Sequence, residues 1–92
     1  MAINYEFLFN NPHFDSLEEY LKGMPYFERY EEETSSYIYR KESRKYPDVV
    51  IVLHDIGIDL TDYLTGVGRE HIGLLIEYLT GIYEEILVKE KD

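Results

Sequence analysis

The sequence predicts an α+β fold: a small antiparallel sheet of three to four strands, in the order β-α-β-β-β-α-α, with helices packed on one face. Three observations predict it. Apolar residues alternate at the N-terminus, run continuously in Val49-Val50-Ile51-Val52-Leu53, and recur at helical spacing from Ile56 onward. Strands joined by short turns, with helices before and after them, favour helices gathered over one side of an antiparallel sheet.

The first strand turns Ile3, Tyr5, Phe7 and Phe9 one way and Asn4, Glu6 and Leu8 the other, until Asn10-Asn11-Pro12 ends it. A short helix follows. Ser16 with Glu19 three residues later fits a capping box, and Leu17, Tyr20, Leu21 and Met24 form the inward stripe while Glu18, Glu19 and Lys22 face out. Gly23 and Pro25 stop it. Residues 26–41 read as two strands around a turn near Glu33-Thr34-Ser35, with Tyr26, Tyr30, Tyr37 and Tyr39 as the β-formers. The glutamates at 28 and 31–33 do not suit a buried ladder. Residues 42–48 form a polar connection closed by Pro47.

Val49–Leu53 is β-branched and apolar throughout, which predicts a central strand covered on both faces. Beyond it, Ile56, Leu60, Tyr63, Leu64 and Val67 keep helical spacing, with Asp59 as N-cap and a break at Gly66-Val67-Gly68. Residues 69–88 then predict the longest helix. Its residues Ile72, Leu75, Ile76, Leu79, Ile82, Tyr83 and Ile86 fall on one face at helical spacing.

Ninety-two residues predict a single domain, residues 1–92, burying roughly 60–65% of the unfolded surface. At 45% hydrophobic residues the chain is too rich in core material to be disordered. The absence of cysteine removes disulfides and thiolate metal sites and fits a cytoplasmic protein. The N-terminus lacks the basic lead-in and apolar length of a secretory leader, and no apolar run reaches membrane-spanning length.

Nineteen acidic side chains against nine basic ones give a net charge of −10. Such a chain is repelled by nucleic-acid phosphates and anionic lipids, so direct nucleic-acid or membrane binding is disfavoured and a basic protein surface is the natural partner. The excess falls in two blocks, −6 over residues 1–39 and −7 over residues 47–92, around a basic connection carrying Arg40, Lys41, Arg44 and Lys45. That cluster reads as a charged loop balancing the acidic body, since nothing Gly-rich accompanies it to cradle a phosphate. On the long helix Glu70, Glu77 and Glu84 recur every seven residues, about 10.5 Å per step, and would line one ridge. Tyr26 and Tyr30 interleave with Glu31, Glu32 and Glu33, a composition suited to a basic, partly apolar partner.

Candidate chemistry centres on His54-Asp55 at the end of the apolar strand, with Asp59, Asp62, Glu70 and His71 as neighbours able to act as base and orienter or to hold a divalent metal. The spacing fits no metal or EF-hand motif, His13 reads as a loop residue, and no serine has a nucleophile's setting. No catalytic residue, resident metal or cofactor is therefore assigned.

The leading expectation is a non-enzymatic protein-binding module whose acidic surface blocks a basic, nucleic-acid-handling partner, by analogy with inhibitors, phage anti-defence proteins, antitoxins and immunity proteins. The second is a small enzyme or ligand- or metal-binding protein centred on His54 and Asp55. The third is a homo-oligomer, such as a homodimer, pairing through Ile72, Leu75, Leu79, Ile82 and Ile86 of the last helix.

Overall fold

A computed structural model describes residues 2–9, 14–42 and 45–91. The elements run β1 (Ile3–Leu8), α1 (Phe14–Gly23), β2 (Phe27–Glu31), β3 (Ser36–Tyr39), β4 (Val49–His54), β5 (Gly57–Asp62), α2 (Val67–Thr80) and β6 (Leu87–Lys91). The strands form one six-stranded antiparallel sheet in the order β2-β3-β4-β5-β1-β6. The fold class is as the sequence predicts, but the sheet is larger and the order becomes β-α-β-β-β-β-α-β. The expected strand end at 10–12, His13 and Arg44 lie outside the described residues.

β5 and β6 both fall where the apolar spacing also suits a helix. Residues 57–62 carry a pattern that fits both periods: Ile56, Leu60, Tyr63 and Leu64 mimic a helix, while Ile58 and Leu60 alternate with Asp59 and Thr61 as a strand requires. Pairing on both sides decides for the strand, since β5 hydrogen-bonds to β4 and to β1. The Gly66–Gly68 stretch therefore opens α2 instead of separating two helices. Similarly, the apolar spacing continues past Thr80, but the helix ends there and residues 87–91 pair with β1. Ser16 lies inside α1 and does not cap it.

Register fixes which side chains meet. Tyr37 and Tyr39 on β3, Val49 and Ile51 on β4, Ile58 and Leu60 on β5, and Phe7 on β1 share one face and are buried. Both helices cover that face: Leu17 and Leu21 of α1 and Leu75 and Leu79 of α2 are fully buried in the same cluster. Tyr39 touches both. Its hydroxyl donates to the Leu21 carbonyl at 2.5 Å, and its ring lies 4.7 Å from that of His71. β4 is interior to the sheet but not covered on both faces, because Val50 and Val52 point away from the helices and are only half-buried. β2 is an edge strand, which is why it tolerates its glutamates.

The buried tyrosines make stability sensitive to alkali. Burial, then the Glu18 carboxylate and the Tyr30 phenol, push the Tyr37 phenol up to about 12, and burial followed by Tyr37 raises Tyr39 as well. The folded state thus holds protons that the unfolded chain releases near pH 10, so this stabilisation is complete below pH 10 and is lost as pH rises toward about 12. The urea midpoint, followed with tyrosinate absorbance, should hold to about pH 9.5 and fall steeply above about pH 10.5. Tyr37→Phe should make that fall shallower, and an unchanged slope would mean Tyr37 carries no part of it.

Candidate functional site

The two faces of the sheet divide the sequence's candidate residues. In a strand, residues an odd number apart point to opposite sides. Asp59 and Asp62 are three apart, so they separate. Asp62 lies on the helix face, buried, with its Oδ1 accepting the Leu64 N–H at 2.8 Å. A Cβ at Gly68 would fall 2.2 Å from its Cγ, so the glycine lets the first turn of α2 close on the carboxylate, where the positive helix end stabilises it. His71 is also fully buried on that side, its ring nitrogens 3.0 Å from the Val67 carbonyl and 2.9 Å from that of Pro25. It fastens α2 to the corner after α1. Asp55 lies exposed in the β4–β5 turn.

On the uncovered face His54 meets Asp59, Nε2 to Oδ1, at 3.4 Å, and Glu6 of β1 joins them so that all three ligand atoms lie within 4.8 Å. The sequence reading missed Glu6; its strand parity with Asn4 and Leu8 placed it on the outer face, but only the pairing Glu6↔Asp59 puts it beside β5. Here, however, cations are already supplied. Lys89 Nζ lies 3.4 Å from Glu6, and Lys91 Nζ lies 4.0 Å from Glu6 and 3.9 Å from Asp59. The arrangement is a cross-strand ion-pair ladder that holds the exposed strand β6 against β1, each half-exposed pair contributing roughly 0–1 kcal/mol.

The helix layer differs in kind. Its two helices carry Asp15, Glu18, Glu19, Glu70 and Glu77, all exposed, against Lys22 and Arg69. Among the described residues, Glu18, Glu19, Glu70 and Glu77 have no ion-pair partner. Glu70 and Glu77 stand two turns apart on α2 as predicted, but Glu84 lies beyond the helix end and leaves the ridge. It lines a separate groove of about 780 Å³ with Glu85, Ile56 and Leu87.

Between the helices Tyr20 stacks on Tyr78, ring centroids 3.9 Å apart and 15° from parallel, and the Tyr20 hydroxyl donates to the Leu74 carbonyl at 2.9 Å. Burial and then Glu77 raise the Tyr20 phenol; burial, then Tyr83 and Glu19, raise that of Tyr78. Each stacked ring thus feels a carboxylate of the opposite helix. Neither tyrosine nor Glu19 was a sequence candidate, yet a signal was present: Glu19-Tyr20-Leu21 and Glu77-Tyr78-Leu79 repeat one triplet, with both leucines buried. Glu18 extends the acidic band toward Tyr37, which packs against Tyr30 at 4.7 Å.

The rest of the Tyr-Glu segment is more occupied than the sequence implies. Arg29 pairs with Glu28 and Glu31, and Lys41 Nζ lies 5.6 Å from the centre of the Tyr26 ring, at a left-handed corner before β2. Glu32 and Glu33 are exposed in the β2–β3 turn. The apolar seam expected on the last helix is not formed as drawn: Leu75 and Leu79 are in the core, and Ile82 and Ile86 lie past the helix end. No helix among the described residues is long and apolar enough to cross a membrane. Comparison with protein-family models, curated proteins and solved structures finds no match.

Proposed function

We propose that this protein is a non-enzymatic binding module whose helix layer docks on a basic protein surface, in the manner of an inhibitor or immunity-type protein that covers a nucleic-acid-handling partner. One observation carries the reading: carboxylates on the sheet face are answered by Lys89 and Lys91, whereas those on the helix layer have no ion-pair partner among the described residues. Unanswered like charges on one face repel each other and lower stability slightly, a cost that opposite charge on a partner would remove.

The test is an affinity capture from the native cell at low and high salt, followed by charge reversal. Glu70→Lys with Glu77→Lys should weaken the captured complex about tenfold or more and flatten its salt dependence, mainly through a slower association. Reversing Glu84 as well should add little if the helix layer is the docking face. A complex that keeps both its affinity and its salt slope after the double reversal would overturn the reading.

A further inference from the structure

The groove between the two helices has a more specific chemistry than its acidic surroundings. It encloses about 600 Å³ and is lined by Glu19, Tyr20, Met24, Pro25, Leu74 and Tyr78, together with Ser16 and Gly23. The lining thus joins two aromatic rings, three aliphatic side chains and a carboxylate. Glu77, next to Tyr78 on α2, is not part of that lining but acts electrostatically on the Tyr20 phenol.

This combination selects among occupants. An anionic or neutral polar group would meet Glu19 and the negative ring faces of the tyrosines. A purely apolar side chain would leave the Glu19 carboxylate on the groove wall without a counter-charge. A long side chain with an apolar stem and a cationic head satisfies every wall: the stem lies along Met24, Pro25 and Leu74, and the head meets an aromatic ring and a carboxylate together. Arginine fits better than lysine. Its planar guanidinium stacks on a ring while its edge donates two parallel hydrogen bonds to a carboxylate, and it loses less hydration on entering.

We propose that the groove between α1 and α2 receives one arginine side chain of the basic partner, seated against Tyr20 and Tyr78 with Glu19 as its counter-ion. This rests on the docking face assigned above and names the anchor within it. The surrounding glutamates then steer the partner, and the arginine supplies the buried, oriented contact that fixes its pose.

The probes are a hexa-arginine peptide and a hexa-lysine peptide, titrated at low salt against the whole protein with the tyrosine ring resonances followed by NMR. Hexa-arginine should shift Tyr20 and Tyr78 first, and bind about fivefold or more tighter than hexa-lysine. Two variants separate the groove from general charge. Glu19→Gln should reduce hexa-arginine binding about threefold or more. Gly23→Leu leaves the charge unchanged and points a side chain from a position whose Cβ would have nothing within 4 Å, so it should block the groove without unfolding the chain. It should abolish the preference for arginine over lysine.

If hexa-arginine binds but shifts residues elsewhere, or if Gly23→Leu leaves the arginine preference intact, the groove assignment fails while the acidic docking face stands. If neither peptide binds at low salt, both fail.

Discussion

Gly57→Ala is expected to destabilise the fold by about 3 kcal/mol or more and to lower its urea midpoint sharply. Gly57 pairs with Leu8 across the β1–β5 ladder. A Cβ there would lie 1.9 Å from the Phe7 carbonyl oxygen and 3.2 Å from the Leu8 Cα. Both are backbone atoms of a strand paired on its two sides, so neither can rotate away as a side chain would. Relief requires β1 to move off β5, and β6, which among the described residues pairs only with β1, goes with it. The total stability of a domain this size is about 5–15 kcal/mol, so a clash of this kind removes a large part of it. Gly73→Ala supplies the internal control. Gly73 is exposed on α2 with nothing within 4 Å of its added Cβ, and the same substitution there should stabilise by about 0.5–1 kcal/mol. Urea midpoints moving in opposite directions are the expected result; a Gly57→Ala midpoint equal to that of the parent would mean that β1 can shift without cost.

Asp48→Ala should cost about 2–4 kcal/mol, the largest effect expected of any single acidic residue. Asp48 is fully buried before β4. Its Oδ2 accepts the Lys41 N–H at 2.8 Å and its Oδ1 accepts the Thr65 hydroxyl. Its backbone N–H donates to the Tyr39 carbonyl at 2.9 Å, and its carbonyl accepts the Tyr63 N–H at 3.1 Å. One residue therefore ties the β3–β4 connection to the loop that leads into α2. Alanine leaves the part-buried Lys41 N–H and Thr65 hydroxyl without their acceptor and opens a void where the buried carboxylate stood. Asparagine can accept from Lys41 and donate to Thr65, so Asp48→Asn should cost about 1 kcal/mol or less. Thermal and urea unfolding of the two variants separate loss of the hydrogen bonds from loss of the charge, and equal costs would show that the charge itself is what holds the site.

The same contrast runs through the whole molecule. Strands β1, β3 and β4 were legible because their apolar residues alternate or run unbroken, and α1 because its stripe stops at Gly23 and Pro25. β5 was not legible, since Ile58 and Leu60 satisfy a strand while Leu60 with Ile56 and Leu64 satisfies a helix; the choice belonged to the partners β4 and β1. β6 was hidden for a related reason. Its sequence, Leu-Val-Lys-Glu-Lys, continues the preceding helical spacing, and only the free edge of β1 offers it a ladder. Among candidate site residues, Glu70 and Glu77 kept their ridge, whereas Asp59 and Asp62 parted because a strand sends residues of odd separation to opposite faces.

The sequence by itself determined the fold class, the acidic excess and the exposure of the glutamates on the helices. Each follows from composition or from local periodicity. The tertiary structure alone decided where that excess is left unanswered. Lys89 and Lys91 come from the last strand and Glu6 from the first, and only their pairing neutralises the sheet face. Glu19-Tyr20 and Glu77-Tyr78 lie almost sixty residues apart, and only the packing of both helices over one face stacks their rings into a groove. Charge is read along a chain, but the partner of a charge is set by contacts that span it.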